Sequence, residues 1–184
     1  MPSPAQDLAF FEAGVQEIPD YLLSKDLFWP LSVSRSDLPR LTIGGLLLAR
    51  RRLGVRSSSP AEAPGLERLE ARLDAIRERW RSAWEAKAGR EVRARLDLWS
   101  NYLNDYRLAP ETHAAGYPQE VRWRVMLHLL WDELPVIPPE AEALAGLDQV
   151  LKARFAPGKF VWEADLAPAF PPDVFWFLYG TLIA

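Results

Sequence analysis

The chain has 184 residues, of which 49% are hydrophobic and 26% charged, with a net charge of −3 and no cysteine. This composition is typical of a globular protein and excludes collagen-like, disordered and wholly coiled-coil chains. The lack of cysteine excludes disulfide frameworks, zinc–thiolate sites, iron–sulfur clusters and thiol nucleophiles. One domain is the default at this length, so we expect a single helical domain over residues 1–184, with a subdivision at the 57–65 loop as the alternative.

The charge is unevenly distributed along the chain. Residues 1–39 hold two basic and six acidic side chains. Residues 40–108 hold fifteen basic and nine acidic side chains, and residues 109–184 hold five basic and ten acidic ones. A basic middle segment can indicate an anionic partner. A nucleic-acid-binding domain is usually basic overall, however, so we expect the basic and acidic segments to pack beside each other.

The apolar segments predict neither a signal peptide nor a membrane span. The N-terminus lacks a basic region followed by an apolar stretch. The longest apolar runs, 41–49 and 174–184, are shorter than the ~20 residues that cross a bilayer. We therefore expect a cytoplasmic protein without membrane association.

A capping box predicts the first helix. Ser3 can cap the backbone, Pro4 suits the first helical position and Gln6 can reach back to the cap. Pro19 is expected to end this helix, because the residue before a proline disfavours helical geometry. Apolar residues recur at three- and four-residue steps between these limits: Leu8, Phe11, Val15 and Ile18.

The second helix is predicted to open at Ser36–Pro39 and to run to Leu53, with Gly54 as its C-cap. Its middle contains Gly44 and Gly45, each of which costs roughly 1 kcal/mol against alanine. Close approach by another helix or an aromatic ring should offset that cost. A strand over 41–48 is the alternative.

Residues 65–107 carry the strongest periodicity in the chain. As one straight helix they would extend about 64 Å, whereas a compact domain of this size has a radius of gyration of about 16 Å. We expect a kink at Gly89 rather than a hairpin. Charged residues on the opposite face are predicted to be solvated. The apolar stripe consists of Leu66, Leu69, Leu73, Ile76, Trp80, Trp84, Ala88, Val92, Leu96, Trp99, Leu103 and Tyr106.

The last third of the chain contains a predicted loop over 108–117 and a helix over 118–134. That helix is apolar nearly all round, which is typical of a central helix. A further helix is predicted to open at Pro138. The segment after Pro171 combines a helix start with strand-like composition; we expect a buried helix, with a small hairpin involving 160–162 as the alternative.

These elements predict an all-α fold. We expect an irregular bundle of about six helices around the long kinked helix, with the small C-terminal β-hairpin as an optional addition. The eight tryptophans should mostly lie in the core, with one or two at a partner surface.

Two pairs of polar residues share a four-residue spacing: His128 with Asp132, and Asn101 with Asp105. If their helices packed antiparallel, the four could converge as a metal or small-ligand site. With two histidines and no HExxH motif, we predict neither a bound metal nor a cofactor. The favoured interpretation is a histidine at the edge of the core, hydrogen-bonded to Asp132.

Arg50, Arg51, Arg52 and Arg56 form the densest basic cluster. Guanidinium groups bind phosphate in bidentate fashion, so an anion or partner surface is one interpretation. The favoured one is a solubilising helix end that complements the helix dipole. We predict no nucleic-acid partner.

No phosphate-binding loop and no GxSxG motif is present, and no catalytic residue is predicted. The leading hypothesis is a non-enzymatic helical interaction protein that self-associates through its amphipathic helices as a homodimer. One alternative is a helical-bundle enzyme or small-ligand-binding protein that uses the four polar residues above. Another is a nucleic-acid adaptor that uses Arg50–Arg52.

Overall fold

In the computed structural model, which describes residues 2–33, 38–56 and 63–183, helix α1 (Pro4–Leu23) begins at the predicted capping box. Ser3 Oγ accepts from the Gln6 amide at 3.2 Å, and Gln6 Oε1 accepts from the Ser3 amide at 2.9 Å. The prediction that Pro19 ends this helix is wrong. Tyr21 and Leu22 are buried beyond it, and their burial offsets the backbone hydrogen bond that proline cannot donate.

Helix α2 (Ile43–Arg56) begins later than predicted. Ser36 and Asp37 lie outside the described residues, and Leu38–Thr42 is not helical. Instead, Leu41 pairs with Trp29 in an isolated antiparallel bridge whose N···O distances are 2.8 and 3.1 Å. Thr42 then caps the helix, because its Oγ1 accepts from the Gly45 amide at 3.0 Å.

The two glycines lie inside α2, so the strand alternative over 41–48 is wrong. A Cβ added to Gly44 would lie 2.8 Å from Glu91 Oε1 and 3.2 Å from Leu130 Cδ1. A Cβ on Gly45 would lie 3.5 Å from the Phe10 ring. The predicted close approach of a helix and an aromatic ring is confirmed. The helix does not stop at Gly54 but continues two residues further, to Arg56.

The long helical region is divided into α3 (Ala63–Arg79) and α4 (Arg81–Leu108), so the break falls at Trp80 and not at Gly89. Trp80 leaves helical geometry, with φ −113° and ψ 30°. Its amide still bonds to Ile76 O, and the Trp84 amide to Trp80 O, each at 2.9 Å. The junction is therefore a kink, as expected, and it lets both helices pack against α1.

The apolar stripe of α3 and α4 faces the core. Every member is buried or packed against buried residues, and Trp84, Ala88, Val92 and Trp99 are at most 1% exposed. The stripe is therefore covered within the fold, and it does not form the open surface that the self-association hypothesis assigned to it.

The predicted loop over 108–117 contains helix α5 (Pro110–His113) and a 3₁₀ turn (Ala114–Gly116). The helix predicted over 118–134 divides at Val121 into α6 (Tyr117–Glu120) and α7 (Arg122–Trp131). Helix α7 is central, as predicted, and packs extensively on both α4 and α2.

Helix α8 (Ala141–Lys152) is tied to α7, since Arg124 Nε and Nη2 donate to the two Asp148 oxygens at 2.8 Å each. Beyond it the expected C-terminal helix is wrong. Strands β1 (Phe155–Phe160) and β2 (Tyr179–Leu182) pair antiparallel instead. This resembles the hairpin alternative, although a longer segment with two 3₁₀ turns joins the strands.

Aromatic packing accounts for the C-terminal structure. Phe170 meets Trp162 and Phe175 edge to face, each with ring centroids 5.2 Å apart. Gly180 has φ +155°, which suits glycine, and a Cβ there would lie 2.3 Å from Ala156 O. The all-α bundle with a small C-terminal sheet is confirmed. Within the described ranges no helix is long and apolar enough to cross a membrane.

Candidate functional site: two clefts and a buried charged row

The four candidate polar residues do not meet. Helices α4 and α7 are antiparallel, because Trp84 near the start of α4 donates its indole N–H to Glu133, just after the end of α7, at 2.9 Å. Asn101 and Asp105, late in α4, therefore lie beside the start of α7. His128 and Asp132 lie at the opposite end.

Asn101 and Asp105 line a cleft of about 420 Å³, here called the Trp123 cleft. The Trp123 indole donates to Glu120 Oε2 at 2.8 Å, and the Arg122 guanidinium lies 4.2 Å from the centre of the same indole ring. The other lining residues are Leu98, Tyr102, Thr112, His113 and Gly116. His113, the other histidine of the chain, accepts a hydrogen bond at its backbone oxygen from Tyr102.

Asp132 lines a separate cleft of about 330 Å³ between α2, α3 and α7, here called the Arg51 cleft. His128 is half-buried, but the hydrogen bond to Asp132 that the sequence analysis favoured is not formed. Its ring centre instead lies 4.8 Å from that of Phe175, edge to face. Burial lowers the pKa of His128, and the Asp132 carboxylate opposes that shift. The remaining lining residues are Leu47, Arg50, Gly54, Glu70, Leu129 and Glu133.

Three of the four clustered arginines form ion pairs within the fold, and Arg52 and Arg56 are largely buried, so the favoured interpretation of a solubilising helix end is wrong. Their partners come from α3 and from the acidic segments at both ends of the sequence, as the uneven charge distribution predicts. These pairs are Arg50 with Asp74 at 2.8 Å, Arg52 with Asp7 at 2.8 Å, and Arg56 with Asp165 at 2.8 Å.

Arg51 is the exception in this cluster. Its Nε donates to Ala169 O at 2.6 Å, and its guanidinium lies 4.8 Å from the ring centre of Phe175 and 5.5 Å from that of Phe170. No carboxylate of the described residues is within ion-pair distance of it. Burial lowers the pKa of Arg51, and Asp132 in the same cleft opposes that effect.

Sequence reasoning missed a row of buried charges on α4. Lys87, Glu91 and Arg95 are 3%, 0% and 5% exposed, although the charged residues of this helix were predicted to be solvated. Glu91 Oε2 accepts from the Gly44 amide at 2.9 Å. Arg95 Nη2 donates to Glu91 Oε1 at 2.8 Å and to Thr42 Oγ1 at 3.0 Å.

The signal for this row was present in the spacing. The three residues recur every four positions, each directly before a member of the apolar stripe. A residue adjacent to a buried stripe is itself buried when the neighbouring helix comes close, and glycines at 44 and 45 permit that approach.

Lys87 caps the C-terminal end of α1, which has no basic residue in its own last turn. Its Nζ donates to Ser24 Oγ at 3.2 Å and to Asp26 O, and it lies 4.2 Å from the centre of the Tyr21 ring. Helix dipoles favour a cation at a C-terminus and an anion at an N-terminus. Helix α4 therefore supplies Lys87 to the end of α1 and Glu91 to the start of α2.

Within the ranges that the structure describes, no three histidine, aspartate or glutamate side chains gather in an arrangement that could hold a metal ion. Comparisons with protein-family models, with curated proteins and with solved structures find no match to this chain.

Proposed function

We propose that this chain is a non-enzymatic helical interaction protein that binds a second copy of itself. One observation carries the proposal: Val136 and Ile137, in the loop between α7 and α8, are 73% and 85% exposed. Prolines at 135 and 138 flank the pair and restrict its backbone. Burying two adjacent aliphatic side chains held in this way stabilises a complex at small conformational cost.

The exposed pair lies beside the outward side of α4. Arg93 Nε donates to Glu140 Oε1 at 2.8 Å, and Arg90 Nη2 donates to Lys25 O at 3.0 Å. These contacts bring the α7–α8 loop and the end of α1 to the same stretch of α4. The resulting surface, here called the Val136 face, comprises Gly89, Arg90, Arg93, Val136, Ile137 and Glu140.

The low net charge of the Val136 face is compatible with a second copy as the partner. In a two-fold dimer the same surface patch of each copy faces the other, so the charges of the patch must not repel their own copies. On the Val136 face Arg93 is paired with Glu140 within one copy, which leaves Arg90 as the one charge of this surface that would face its own copy. Arginine is also enriched at protein interfaces, and the buried centre of an interface is more apolar than the rest of the protein surface.

The state of the buried charged groups supports a non-enzymatic role. Asp7 and Glu91 are at most 1% exposed, and each is bonded to an arginine. Glu133 is engaged by Arg77 at 2.7 Å and by the Trp84 indole. These side chains therefore stabilise helix contacts and helix ends.

Sedimentation velocity from low to high micromolar concentration tests the proposal. We expect a dimer whose fraction rises with concentration and which dissociates in Ile137→Asp. Leu108→Asp is the matched control, because Leu108 is 81% exposed but lies about 28 Å along α4 from Gly89. Circular dichroism verifies that both variants are folded.

A wild-type protein that stays monomeric at every concentration contradicts self-association. A dimer that Leu108→Asp disrupts and Ile137→Asp does not would place the interface at the end of α4 and contradict the Val136 face.

A further inference from the structure

We infer that the Arg51 cleft binds a small zwitterion that carries a carboxylate and a protonated amine, the chemistry of a free amino acid. The cleft is bounded by three helices, and its volume of about 330 Å³ is within the range of small-molecule sites. It contains one cation and one anion that the described fold leaves without a direct ionic partner.

Arg51 supplies the cationic end. Its Nε is occupied by Ala169 O, and the Phe175 ring supports the guanidinium plane, so the group is held in one orientation. No protein hydrogen bond to its two terminal nitrogens is present among the described residues. Two such nitrogens match the two oxygens of a carboxylate in a bidentate contact. A guanidinium that is already fixed loses little conformational entropy on binding.

Asp132 supplies the anionic end. It lines the same cleft, is exposed, and forms no ion pair or side-chain hydrogen bond with other described residues. The Asp132 carboxylate favours the charged form of Arg51 electrostatically, but the two groups are not within ion-pair distance. Two opposite charges that share a cleft but do not touch leave room for a dipolar ligand between them.

The other charges of the cleft are already matched. Arg50 pairs with Glu70 at 3.2 Å and with Asp74, while Glu133 pairs with Arg77. The unmatched charges therefore sum to zero, which favours a zwitterion over a phosphate or other pure anion. Leu47 and Leu129 complete the lining and suit an aliphatic side chain on the ligand.

Isothermal titration calorimetry with L-leucine, N-acetyl-leucine and leucine amide tests this assignment. The first analogue lacks the ammonium and the second lacks the carboxylate, so we expect both to bind about tenfold more weakly than L-leucine, or not at all. Titrations with polar, charged and aromatic L-amino acids accompany them.

Asp132→Asn and Arg51→Lys should each weaken L-leucine binding about tenfold or more. Asp132 is exposed, so its variant keeps the fold even if Arg51→Lys disturbs the contact with Ala169. Asp105→Asn and Arg122→Lys make the same chemical changes in the Trp123 cleft and should leave the affinity unchanged. Ile137→Asp should retain binding, which separates this site from self-association.

Three results would overturn the inference. The first is that no amino acid binds. The second is that N-acetyl-leucine binds as tightly as L-leucine, which would make this a simple anion site. The third is that Asp132→Asn and Arg51→Lys bind with wild-type affinity.

Discussion

The carboxylate of Glu91 is fully buried, and a buried carboxylate costs several kcal/mol of desolvation unless its partners offset it. It has two kinds of partner: the Arg95 guanidinium one turn along α4, and the Gly44 amide at the start of α2. Removing the carboxylate leaves the Gly44 amide without its acceptor and the buried Arg95 without its counter-charge, although Arg95 keeps its hydrogen bond to Thr42. Its side chain therefore contributes to the placement of α2 against α4.

We expect Glu91→Ala to lower the free energy of unfolding by about 3–5 kcal/mol, because it leaves Arg95 buried without its counter-charge. Glu85→Ala removes another ion pair of α4 with four-residue spacing, but its partner Arg81 is 80% exposed. That change should cost less than about 1 kcal/mol. Urea denaturation measures both; similar losses in the two variants would contradict the structural importance of the buried pair.

Gly44→Ala should destabilise the protein by about 1–3 kcal/mol, because its Cβ would meet Glu91, Leu130 and Met126 at 2.8–3.3 Å. Gly146 lies in the middle of α8 with no atom within 4 Å of an added Cβ. Gly146→Ala should therefore stabilise by up to about 1 kcal/mol. Opposite signs in thermal or urea unfolding are the expected result, and a neutral Gly44→Ala would show that α2 and α7 can separate freely.

His128 should make stability depend on pH. Burial lowers its folded-state pKa, while Asp132 opposes the shift and Arg124 and Arg51 reinforce it. The unfolded chain therefore binds the proton more readily, and the wild type should lose stability as pH falls below about 6.5 until the folded-state pKa is passed. His128→Gln should show a shallower decline over that interval. Parallel stability curves for the two proteins between neutral and mildly acidic pH would contradict this assignment.

At the scale of elements, local sequence signals predicted where a helix begins, whereas tertiary contacts determined where helices end and kink. The Ser3 capping box uses contacts three residues apart, and it is present as predicted. Pro19 should have ended α1 by its local chemistry, but burial of Tyr21 carries the helix onward. The kink falls at Trp80 rather than Gly89 because its position depends on packing against α1, which periodicity does not describe.

The two-stranded sheet should depend on Gly180. Its φ of +155° is rarely adopted by other residues, and a Cβ there would overlap Ala156 O at 2.3 Å. Gly180→Ala should cost more than about 1 kcal/mol. Gly158, in the opposite strand, would place its Cβ at an ordinary 3.8 Å, so Gly158→Ala should cost less than about 0.5 kcal/mol. Equal unfolding midpoints for the two variants would contradict this requirement for glycine.

At the scale of the whole molecule, the candidate site shows what sequence spacing omits. Asn101 and Asp105, four residues apart on α4, line the same cleft. Asp132 lies just beyond the end of α7 and lines the Arg51 cleft, which His128 does not. Whether the two pairs meet depends on the relative direction and register of α4 and α7, which spacing within each helix does not encode. Likewise, no local feature distinguishes Arg51 from Arg50 or Arg52; their different partners come from distant parts of the chain.

The ion pairs formed by the clustered arginines predict weak affinity for nucleic acid. Arg50, Arg52 and Arg56 are already paired with carboxylates, which leaves few cations free to replace phosphate counterions. We expect no fluorescence-anisotropy change with single-stranded or duplex DNA at physiological salt. Arg51→Gln is the informative variant, since removing Arg52 would deprive the buried Asp7 of its hydrogen-bonded partner and leave only Arg56, at 3.7 Å. Micromolar binding that persists at that salt and disappears in Arg51→Gln would contradict the prediction.

The contacts of α2 also constrain when the protein can fold during synthesis. Arg56 pairs with Asp165, and Arg51 bonds to Ala169 O. The C-terminal end of α2 therefore cannot complete its contacts until residues more than a hundred positions later have been synthesised. Such long-range closure raises contact order, which slows folding relative to local helix formation. A nascent chain still lacking residues 165–169 holds α2 without the contacts of Arg51 to Ala169 and of Arg56 to Asp165, although Arg56 also lies 3.7 Å from Asp7. Completion of α2 packing is therefore a late event, and it must follow translation of the C-terminal aromatic segment.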